Sequence, residues 1–343
     1  MQEMKMETRI LPCTKENIEK AAHLLRGGEL VGMPTETVYG LAANALDETA
    51  VSKIFIAKGR PQDNPLIVHI SSLSMLESLA AKVPDTAFQL AERFWSGPLT
   101  MILPKTAAVP SSVTAGLDTV AVRFPSHPAA QALIDAAGVP LAAPSANRSG
   151  SPSPTSAQHV YDDLQGKIPL ILDGGSCTIG LESTVVSVAE GQITLLRPGA
   201  VTAEQLASIG AEVTIARAVC EQLRPDEKVL SPGMKYKHYA PKASVYILDC
   251  NLADFVRYVD AHPQEDCYAL VYEGEEQALS IPSVTYGRAE DSLSQAQALF
   301  GSLRKLDELG AKIVYARCPS RQGVGLAVYN RLLRAAGFHQ ITL

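Results

Sequence analysis

The first two hundred residues alternate between helical and strand spacing of apolar positions. Residues 14–26 begin at Thr14, a good N-cap, carry one apolar stripe and end at Gly27-Gly28. Further helices are predicted over residues 49–58, 72–82, 85–95 and 128–137. Buried strands are predicted over Leu30–Met33, LIVHI (66–70), LTMIL (99–103), TVAVRF (119–124) and PLAA (140–143). A hairpin over 184–196, turning at Glu190-Gly191, makes a mixed α/β sheet the predicted fold class.

The periodicity weakens after Pro198 and returns after Ala243. Between them we expect a short helix over 202–209 and an aperiodic linker, SPGMKYKHYAP (231–241). The last hundred residues alternate again, with helices predicted over 251–261, 292–309 and 323–336 and strands between them. The predicted domains are therefore 1–200, a linker over 201–242, and a smaller α/β domain over 243–343.

Composition narrows the class of protein. Of 343 residues, 46% are hydrophobic and 19% charged, which excludes a disordered chain. The net charge of −6 gives no basic surface for nucleic acid or membrane. Six scattered cysteines contain no C-x-x-C pair, as expected for reduced thiols rather than a disulfide framework or zinc site. The N-terminus lacks a signal-peptide pattern and no apolar run reaches 18 residues, so we expect a cytoplasmic protein without membrane contact.

Common nucleotide-binding motifs are missing. The sequence has no G-x-x-x-x-G-K-[ST], no complete G-x-G-x-x-G and no H-E-x-x-H. Gly323 and Gly325 resemble a dinucleotide loop, but the third glycine is absent, which favours a simple helix entry. If the chain binds a nucleotide, it does so through a different motif.

Polar residues gather at the ends of predicted elements in the first domain. PTETVYG (34–40) follows an apolar strand, where it is either a helix cap or part of a site. KGRPQDNPL (58–66) ends a helix with Lys58 and Arg60, a placement that the helix dipole alone also favours.

Three more features in the first domain leave alternatives open. His69, inside an apolar strand, is either a satisfied core histidine or a ligand-facing one. Arg123 ends a strand and is either paired with an acidic residue or facing a ligand, because an unpaired buried guanidinium is costly. PSANRSGSPSP (144–154) offers many small donors, although a flexible surface loop has a similar composition.

Taken together, these segments indicate a site for anions. Lys58, Arg60, Arg123 and Arg197 supply four cations at element ends, and the segment PSANRSG adds neutral donors. Charge-assisted donors of this kind suit a polyphosphate together with a carboxylate. The residues alone therefore predict an anion-rich small-molecule site, with a nucleotide as the favoured ligand.

At this point the sequence resembles a known family. PTETVYGL, K-G-R-P-x-x-x-P-L, the S-x-N of PSANRSG, and E-S-T-V with R-P-G are similar to the YrdC/Sua5 family of L-threonylcarbamoyladenylate synthases. SPGMKYKHYAP and the domain after it resemble the longer, two-domain Sua5 type. The resemblance implies an N-terminal YrdC-like twisted sheet with a large cavity and a C-terminal Rossmann-like domain. It also implies that L-threonine, bicarbonate (or CO2) and ATP are condensed into threonylcarbamoyl-AMP and pyrophosphate.

The resemblance also implies roles for individual residues. Lys58, Arg60, Ser145 and Asn147 are the implied catalytic residues. The implied contacts of L-threonine are Thr37, His69, Arg123, Ala143 and Ser183. The implied contacts of ATP are Arg60, Asn64, Thr119, Ser145, Ser153, Arg197 and Tyr236, with Tyr236 on a lid formed by SPGMKYKHYAP. Mg2+ is expected with ATP, without a dedicated protein cage.

The implied partners act downstream. Other proteins are expected to transfer the threonylcarbamoyl group to adenosine 37 of tRNAs that read ANN codons, and direct contact of this chain with tRNA stays open. Two alternatives remain: an RNA-binding module with a basic cavity, and a carbamoyl-adenylate-forming factor of hydrogenase maturation. The net negative charge and 6% aromatic content disfavour the first, and the absence of C-x-x-C pairs disfavours the second.

Overall fold

The computed structural model describes residues 6–222 and 239–343, which form two units. The first unit contains residues 6–149, 154–178 and 182–222, and the second contains 150–153, 179–181 and 239–343. In the first unit the strands are β1 (Arg9–Pro12), β2 (Val31–Met33), β3 (Gly40–Asn44), β4 (Ile67–His69), β5 (Leu99–Pro104), β6 (Thr119–Arg123), β7 (Leu141–Ala142), β8 (Leu170–Asp173), β9 (Thr184–Ala189), β10 (Gln192–Arg197) and β11 (Glu212–Ile215). Its α-helices are α1 (Lys15–Arg26), α2 (Glu48–Lys58), α3 (Leu73–Leu79), α4 (Asp85–Phe94), α5 (Ser111–Thr114), α6 (Pro128–Ala137), α7 (Ala157–Leu164) and α8 (Ala203–Ala207), followed by a 3-10 turn, Arg217–Val219.

The predicted helices of the first unit form where the sequence places them. Thr14 caps α1, its hydroxyl accepting the Asn17 N–H at 3.3 Å, as predicted. Asp47 caps α2 in the same way, and Gly59 ends that helix in the left-handed conformation (φ 61°) that glycine adopts without steric cost. Six elements that were not predicted from the sequence also form: β1, β3, β8, β11, α5 and α7.

The strands of the first unit form one mixed sheet, which confirms the predicted class. Its order is β1-β8-β2-β3-β7-β4-β6-β5-β9-β10-β11. β4 runs parallel to β6, whereas β5 runs antiparallel to β6 and parallel to β9. The predicted hairpin is β9 and β10, paired antiparallel around Gly191.

The two faces of the central strands differ in character. Val68 and Val122 point to the larger hydrophobic core, which also contains residues of α2, α3 and α4. Side chains alternate between faces along a strand, so the intervening residues lie opposite. On that second face Ile67, Ala121 and Ile102 form a small separate cluster. His69, Arg123, Thr119 and Thr100 belong to the same alternate positions, and this face carries the candidate site.

The second unit is a parallel α/β structure. Its strands are β12 (Ser244–Asp249), β13 (Cys267–Val271), β14 (Ser283–Thr285), β15 (Ile313–Arg317) and β16 (Gln340–Thr342). Its helices are α9 (Leu252–Ala261), α10 (Ser292–Glu308) and α11 (Gly325–Ala335), with a 3-10 turn at Glu276–Ala278. All four strand pairings are parallel, in the order β14-β13-β15-β12-β16. Gly323 and Gly325 lie at the entry to α11, where both of their interpretations place them.

The domain boundaries 1–200, 201–242 and 243–343 stay a prediction. Helix α8 and strand β11 lie within the stretch assigned to the linker, and β11 pairs with β10. Across residues 6–222 and 239–343, no helix combines the length and apolar character needed to cross a bilayer.

Candidate functional site

The segment between β2 and β3 directs two polar side chains inward. The Thr35 hydroxyl donates to the Val38 carbonyl at 2.6 Å and accepts the Val38 N–H at 3.3 Å, which closes a tight turn over PTETVYG. Glu36 and Thr37 within this turn are both buried. PTETVYG is therefore a turn that presents side chains to the interior, and the helix-cap interpretation is wrong.

Arg123, at the end of β6, meets both of these side chains. Its Nη1 donates to the Thr37 hydroxyl at 2.8 Å, and its Nη2 lies 2.7 Å from Glu36 Oε1. Its Nε donates to the Gly97 carbonyl at 3.3 Å. The Arg123 and Glu36 side chains are only 4% and 7% exposed, so this is a buried ion pair. The guanidinium is thus paired with an acidic residue, one of the two alternatives for Arg123.

The contacts of Arg123 leave donor capacity in its guanidinium. Of its five N–H groups, the one on Nε donates to Gly97 and one on Nη1 donates to Thr37. Nη2 lies within ion-pair distance of Glu36 but donates no hydrogen bond to a described residue. A bidentate carboxylate accepts two N–H groups. The arrangement can therefore take an additional anion.

His69 lies beside Arg123 across the parallel strands β4 and β6. Burial and the neighbouring Arg123 cation lower the pKa of His69 to about 3, so the imidazole is neutral at pH 7. Its Nδ1 is buried and has no hydrogen-bond partner among the residues that the structure describes. A buried ring nitrogen without a partner is costly, which favours a ligand-facing histidine over a satisfied core one.

The same buried environment changes the pKa of Glu36. Burial raises the pKa of Glu36, but the Arg123 guanidinium and the backbone amides of Glu36 and Ser126 outweigh it, and the pKa ends below its usual value. Glu36 is therefore a carboxylate at pH 7. It forms the first cluster of the site together with Thr37, His69 and Arg123.

Lys58 forms a second cluster with the loop after β7. Its ammonium donates to the carbonyl of Ser145, to the carbonyl of Asn147 at 2.6 Å and to Asn147 Oδ1 at 3.4 Å. The Ser145 hydroxyl donates to Asn147 Oδ1 at 2.5 Å. Lys58 therefore holds the loop after β7 through hydrogen bonds, which a favourable interaction with the helix dipole does not by itself explain. Burial and the nearby Arg60 hold the pKa of Lys58 well below its ordinary value.

A third cluster consists of Arg197, Ser183 and Thr100. Arg197, at the end of β10, donates to the carbonyl and the hydroxyl of Ser183, each at 3.1 Å. The Ser183 hydroxyl lies 2.8 Å from that of Thr100 on β5. Gly199 is required nearby because a Cβ there would lie 2.4 Å from the Thr184 nitrogen. Thr100 is opposite Arg123 in the antiparallel pair β5·β6, so the third cluster adjoins the first.

The remaining predicted residues occupy several places. Arg60 Nη2 donates at 3.3 Å to the carbonyl of Asn64, and the buried Oδ1 of Asn64 has no hydrogen-bond partner among the described residues. Thr119 begins β6, and Ala143 follows β7, its N–H donating to the Ile67 carbonyl. Ser153 is buried and belongs to the second unit. Tyr236 and residues 231–238 of the predicted lid lie outside the described residues.

Two side chains of these clusters were not predicted. Glu36 lies in PTETVYG, and a carboxylate directly after an apolar strand was the sequence signal that could have identified it as a site residue. Thr100 is the one hydroxyl residue in LTMIL, and an apolar strand with one polar position is a weaker signal. Within the described ranges no three His, Cys, Asp or Glu side chains come together in a way that could hold a metal ion.

Comparison with known proteins gives the family. A model described as "Telomere recombination", for Sua5, YciO and YrdC proteins, matches residues 23–199, and one described as "Threonylcarbamoyl-AMP synthase, C-terminal domain" matches 201–337. The chain belongs to the Sua5/YrdC family. The threonylcarbamoyl-AMP synthase of Pyrococcus abyssi is 47% identical over 95% of this chain and 97% of its own, and that of Bacillus subtilis is 47% identical over 93% of each. This confirms the predicted family and its class of enzyme, the threonylcarbamoyl-AMP synthases.

A solved Sua5 structure agrees with the two-domain architecture. The crystal structure of P. abyssi Sua5 complexed with L-threonine superposes with a TM-score of 0.89, at 42% identity, covering 98% of this chain and 99% of that one. The Sua5 fold therefore extends over both units. The large cavity implied by the resemblance stays a prediction.

Proposed function

We propose that this chain joins L-threonine, bicarbonate or CO2, and ATP into threonylcarbamoyl-AMP and pyrophosphate. The observation that carries the proposal is Arg123, a buried guanidinium whose Nη2 donates no hydrogen bond to a described residue, beside the neutral His69, whose Nδ1 also has no partner among these residues. This combination suits an amino acid, because the guanidinium binds a carboxylate and the imidazole accepts a hydrogen bond from an amine or hydroxyl. The relative from P. abyssi, whose structure contains L-threonine, supports the choice of amino acid.

The threonine contacts follow from the first and third clusters. Arg123 binds the carboxylate, and Thr37, His69 and Ser183 hold the amine and the hydroxyl, with Ala143 lining the same pocket. Ser183 is buried and already bonded to Arg197, so its position is fixed before the substrate arrives. Preorganised polar groups of this kind reject analogues that leave them unpaired.

The ATP contacts follow from the Lys58 cluster. We assign the phosphates to residues from the α2 end and the loop after β7, namely Lys58, Arg60, Asn64, Ser145 and Asn147. Thr119 and Arg197 contact the nucleotide. Mg2+ enters with the phosphates of ATP, and we assign it no protein ligand.

The chemistry then requires positioning rather than a covalent intermediate. The unprotonated amine attacks the carbon of CO2 to give a carbamate, and a carbamate oxygen attacks the α-phosphorus while pyrophosphate leaves in line. Buried cations stabilise the charge that develops on the phosphoryl oxygens. The product passes to proteins that modify adenosine 37 of tRNA, and we place the reaction in the cytoplasm.

Pyrophosphate release tests the proposal. The full chain is incubated with ATP and bicarbonate, with and without L-threonine, and the adenylate is identified by mass spectrometry. We expect threonine- and bicarbonate-dependent release and the mass of threonylcarbamoyl-AMP. Turnover with carbamoyl phosphate in place of threonine would instead support the carbamoyl-adenylate alternative, and salt-sensitive RNA binding without turnover would support the RNA-binding one.

A pair of lysine variants on one helix sharpens this test. Lys58→Met is expected to reduce release by about 100-fold or more, the usual effect of losing one preorganised charge donor. Lys53→Met is the matched control, because Lys53 lies on the same helix in a half-exposed ion pair with Glu29. Equal activity of the two variants contradicts the role of Lys58.

A further inference from the structure

Glu36 is the one acid in the first cluster, and no role described so far uses it. Its carboxylate is buried and lies 2.7 Å from Arg123, the residue assigned to the threonine carboxylate. Breaking such a pair leaves an uncompensated buried charge, so an anion that takes up Arg123 must be accompanied by a cation for Glu36. Threonine carries both charges, a carboxylate and an α-ammonium.

The charge pattern of the pair is the complement of a zwitterion. A buried carboxylate and a buried guanidinium, together neutral, match an ammonium and a carboxylate on one carbon atom. Among the described residues, three titratable groups interact electrostatically with Glu36: Arg123 from β6, His69 from β4 and Cys177 from the loop after β8. His69 is neutral at pH 7, and burial, together with the Glu36 charge, raises the pKa of the Cys177 thiol to about 12, so it is neutral as well. Of these three, only Arg123 is charged.

We propose that Glu36 receives the α-ammonium of bound L-threonine and accepts the first proton that the amine must lose. This rests on the proposed function, in which Arg123 binds the threonine carboxylate. In the step, one N–H bond of the ammonium breaks, an O–H bond forms on Glu36, and the nitrogen keeps its electron pair for attack on CO2. Glu36 then releases its proton to water, and the second amine proton leaves to solvent after the N–C bond has formed.

Substrate binding itself prepares Glu36 for this step. In the substrate-free site, burial raises the pKa of Glu36 but the Arg123 charge and two backbone amides outweigh it. The threonine carboxylate gives Arg123 a second anionic partner, which weakens the effect of Arg123 on Glu36, while the α-ammonium becomes the counterion of Glu36. Glu36 thus stays ionised, in contact with the group whose proton it accepts.

The experiment compares Glu36→Gln and Glu36→Asp with the unmodified chain. A neutral amide keeps the size of Glu36 but cannot accept a proton, so Glu36→Gln should reduce kcat about 100-fold or more at pH 7. The deficit should shrink as the pH rises from 7 to 9, because the solution then supplies free amine. Glu36→Asp, which keeps a carboxylate, should recover part of kcat and of the original pH profile. Glu29→Gln is the matched control, a half-exposed carboxylate paired with Lys53.

A binding measurement separates recognition from folding. Calorimetry compares L-threonine with 2,3-dihydroxybutanoate, which has a hydroxyl in place of the amine. The unmodified chain should prefer L-threonine, and Glu36→Gln should lose about 10-fold or more of that preference. Unchanged ATP affinity shows that the variant is folded.

Three outcomes would contradict the proposed role of Glu36. A kcat that falls by the same factor at both pH values, an unchanged kcat, or an unchanged preference for the amine each overturn the role of Glu36. If the unmodified chain itself fails to release pyrophosphate with L-threonine, the proposed function fails rather than this inference.

Discussion

Replacing Arg123 by glutamine tests how the buried ion pair serves both stability and binding. The guanidinium contacts Glu36 at 2.7 Å, Thr37 at 2.8 Å and the Gly97 carbonyl at 3.3 Å. Glutamine removes the charge and leaves Glu36 buried without its counterion. Removing one partner of a buried ion pair typically costs about 3–5 kcal/mol of unfolding free energy. Loss of a charge-assisted hydrogen bond to threonine, about 1.5–3 kcal/mol, should raise KM for threonine about 10- to 150-fold.

The pH dependence of the Arg123→Gln effect has a definite sign. In the unmodified chain the pKa of Glu36 lies below its ordinary value of 4.5, so the pair contributes stability above that pH and loses it as the pH falls further. In the variant, burial without Arg123 raises the pKa of Glu36, and protonation on acidification relieves the buried charge. The difference in unfolding free energy between the two proteins should therefore shrink between pH 7 and pH 4.

Urea unfolding and a double-mutant cycle provide the assay. The double variant Arg123→Gln, Glu36→Gln should lose less unfolding free energy than the sum of the two single variants, by about 0.5–3 kcal/mol. The reason is that the double variant has lost both charges and leaves none of them unpaired. Arg9→Gln, which breaks an exposed pair with Glu7, is the control and should change stability by less than about 1 kcal/mol. Additive costs, or a threonine KM that does not move, would refute the reasoning.

Three further predictions follow from single features. The pKa of His69 is about 3 in the folded chain and 6.5 ordinarily, so the unfolded chain binds a proton at this residue first as the pH falls. Between pH 7 and pH 5 the unmodified protein should therefore lose about 2 kcal/mol more unfolding free energy than His69→Gln does, as measured by urea unfolding. Gly199→Ala should lower the free energy of unfolding by about 1–3 kcal/mol or more, because its Cβ would lie 2.4 Å from the Thr184 nitrogen. Gly301→Ala, in open space on α10, should raise it by up to about 1 kcal/mol. Thermal unfolding that ranks the two variants in the other order would contradict this packing. L-2-Aminobutyrate, which lacks the threonine hydroxyl, should support pyrophosphate release with kcat/KM lower by about 100-fold or more, and near-equal rates would show that the hydroxyl is not bound.

The sequence predicted the helices of the first unit well because their signals are local. Caps such as Thr14 and Asp47 and terminators such as Gly59 act within one turn of the chain. Strands β1 and β8 were missed because they are short, and their pairing joins residues about 160 positions apart, which no local pattern encodes. Strand β3 was missed for another reason: GLAAN has small residues with weak strand preference, and only its tertiary context makes it extended.

The candidate site shows the same division between local and distant information. TVAVRF was predicted as a buried strand, yet only every second residue meets the main core: Val120 and Val122 lie in it, and Phe124 packs against it. Thr119, Ala121 and Arg123 occupy the alternate positions, a period of two that was present in the letters. That Arg123 meets an acid was foreseen as one alternative, whereas the identity of that acid depends on how two distant segments are brought together.

The sequence separations within the candidate site also bear on how the chain folds. Thr37 and Arg123 are 86 residues apart, Lys58 and Ser145 are 87 apart, and Thr100 and Ser183 are 83 apart. Contacts of such long range require large loops to close, which slows folding and delays these contacts relative to helix formation. A chain emerging from the ribosome therefore cannot assemble all three clusters until Arg197 has been synthesised, and the nascent protein remains without a complete site while more than half of its length is made.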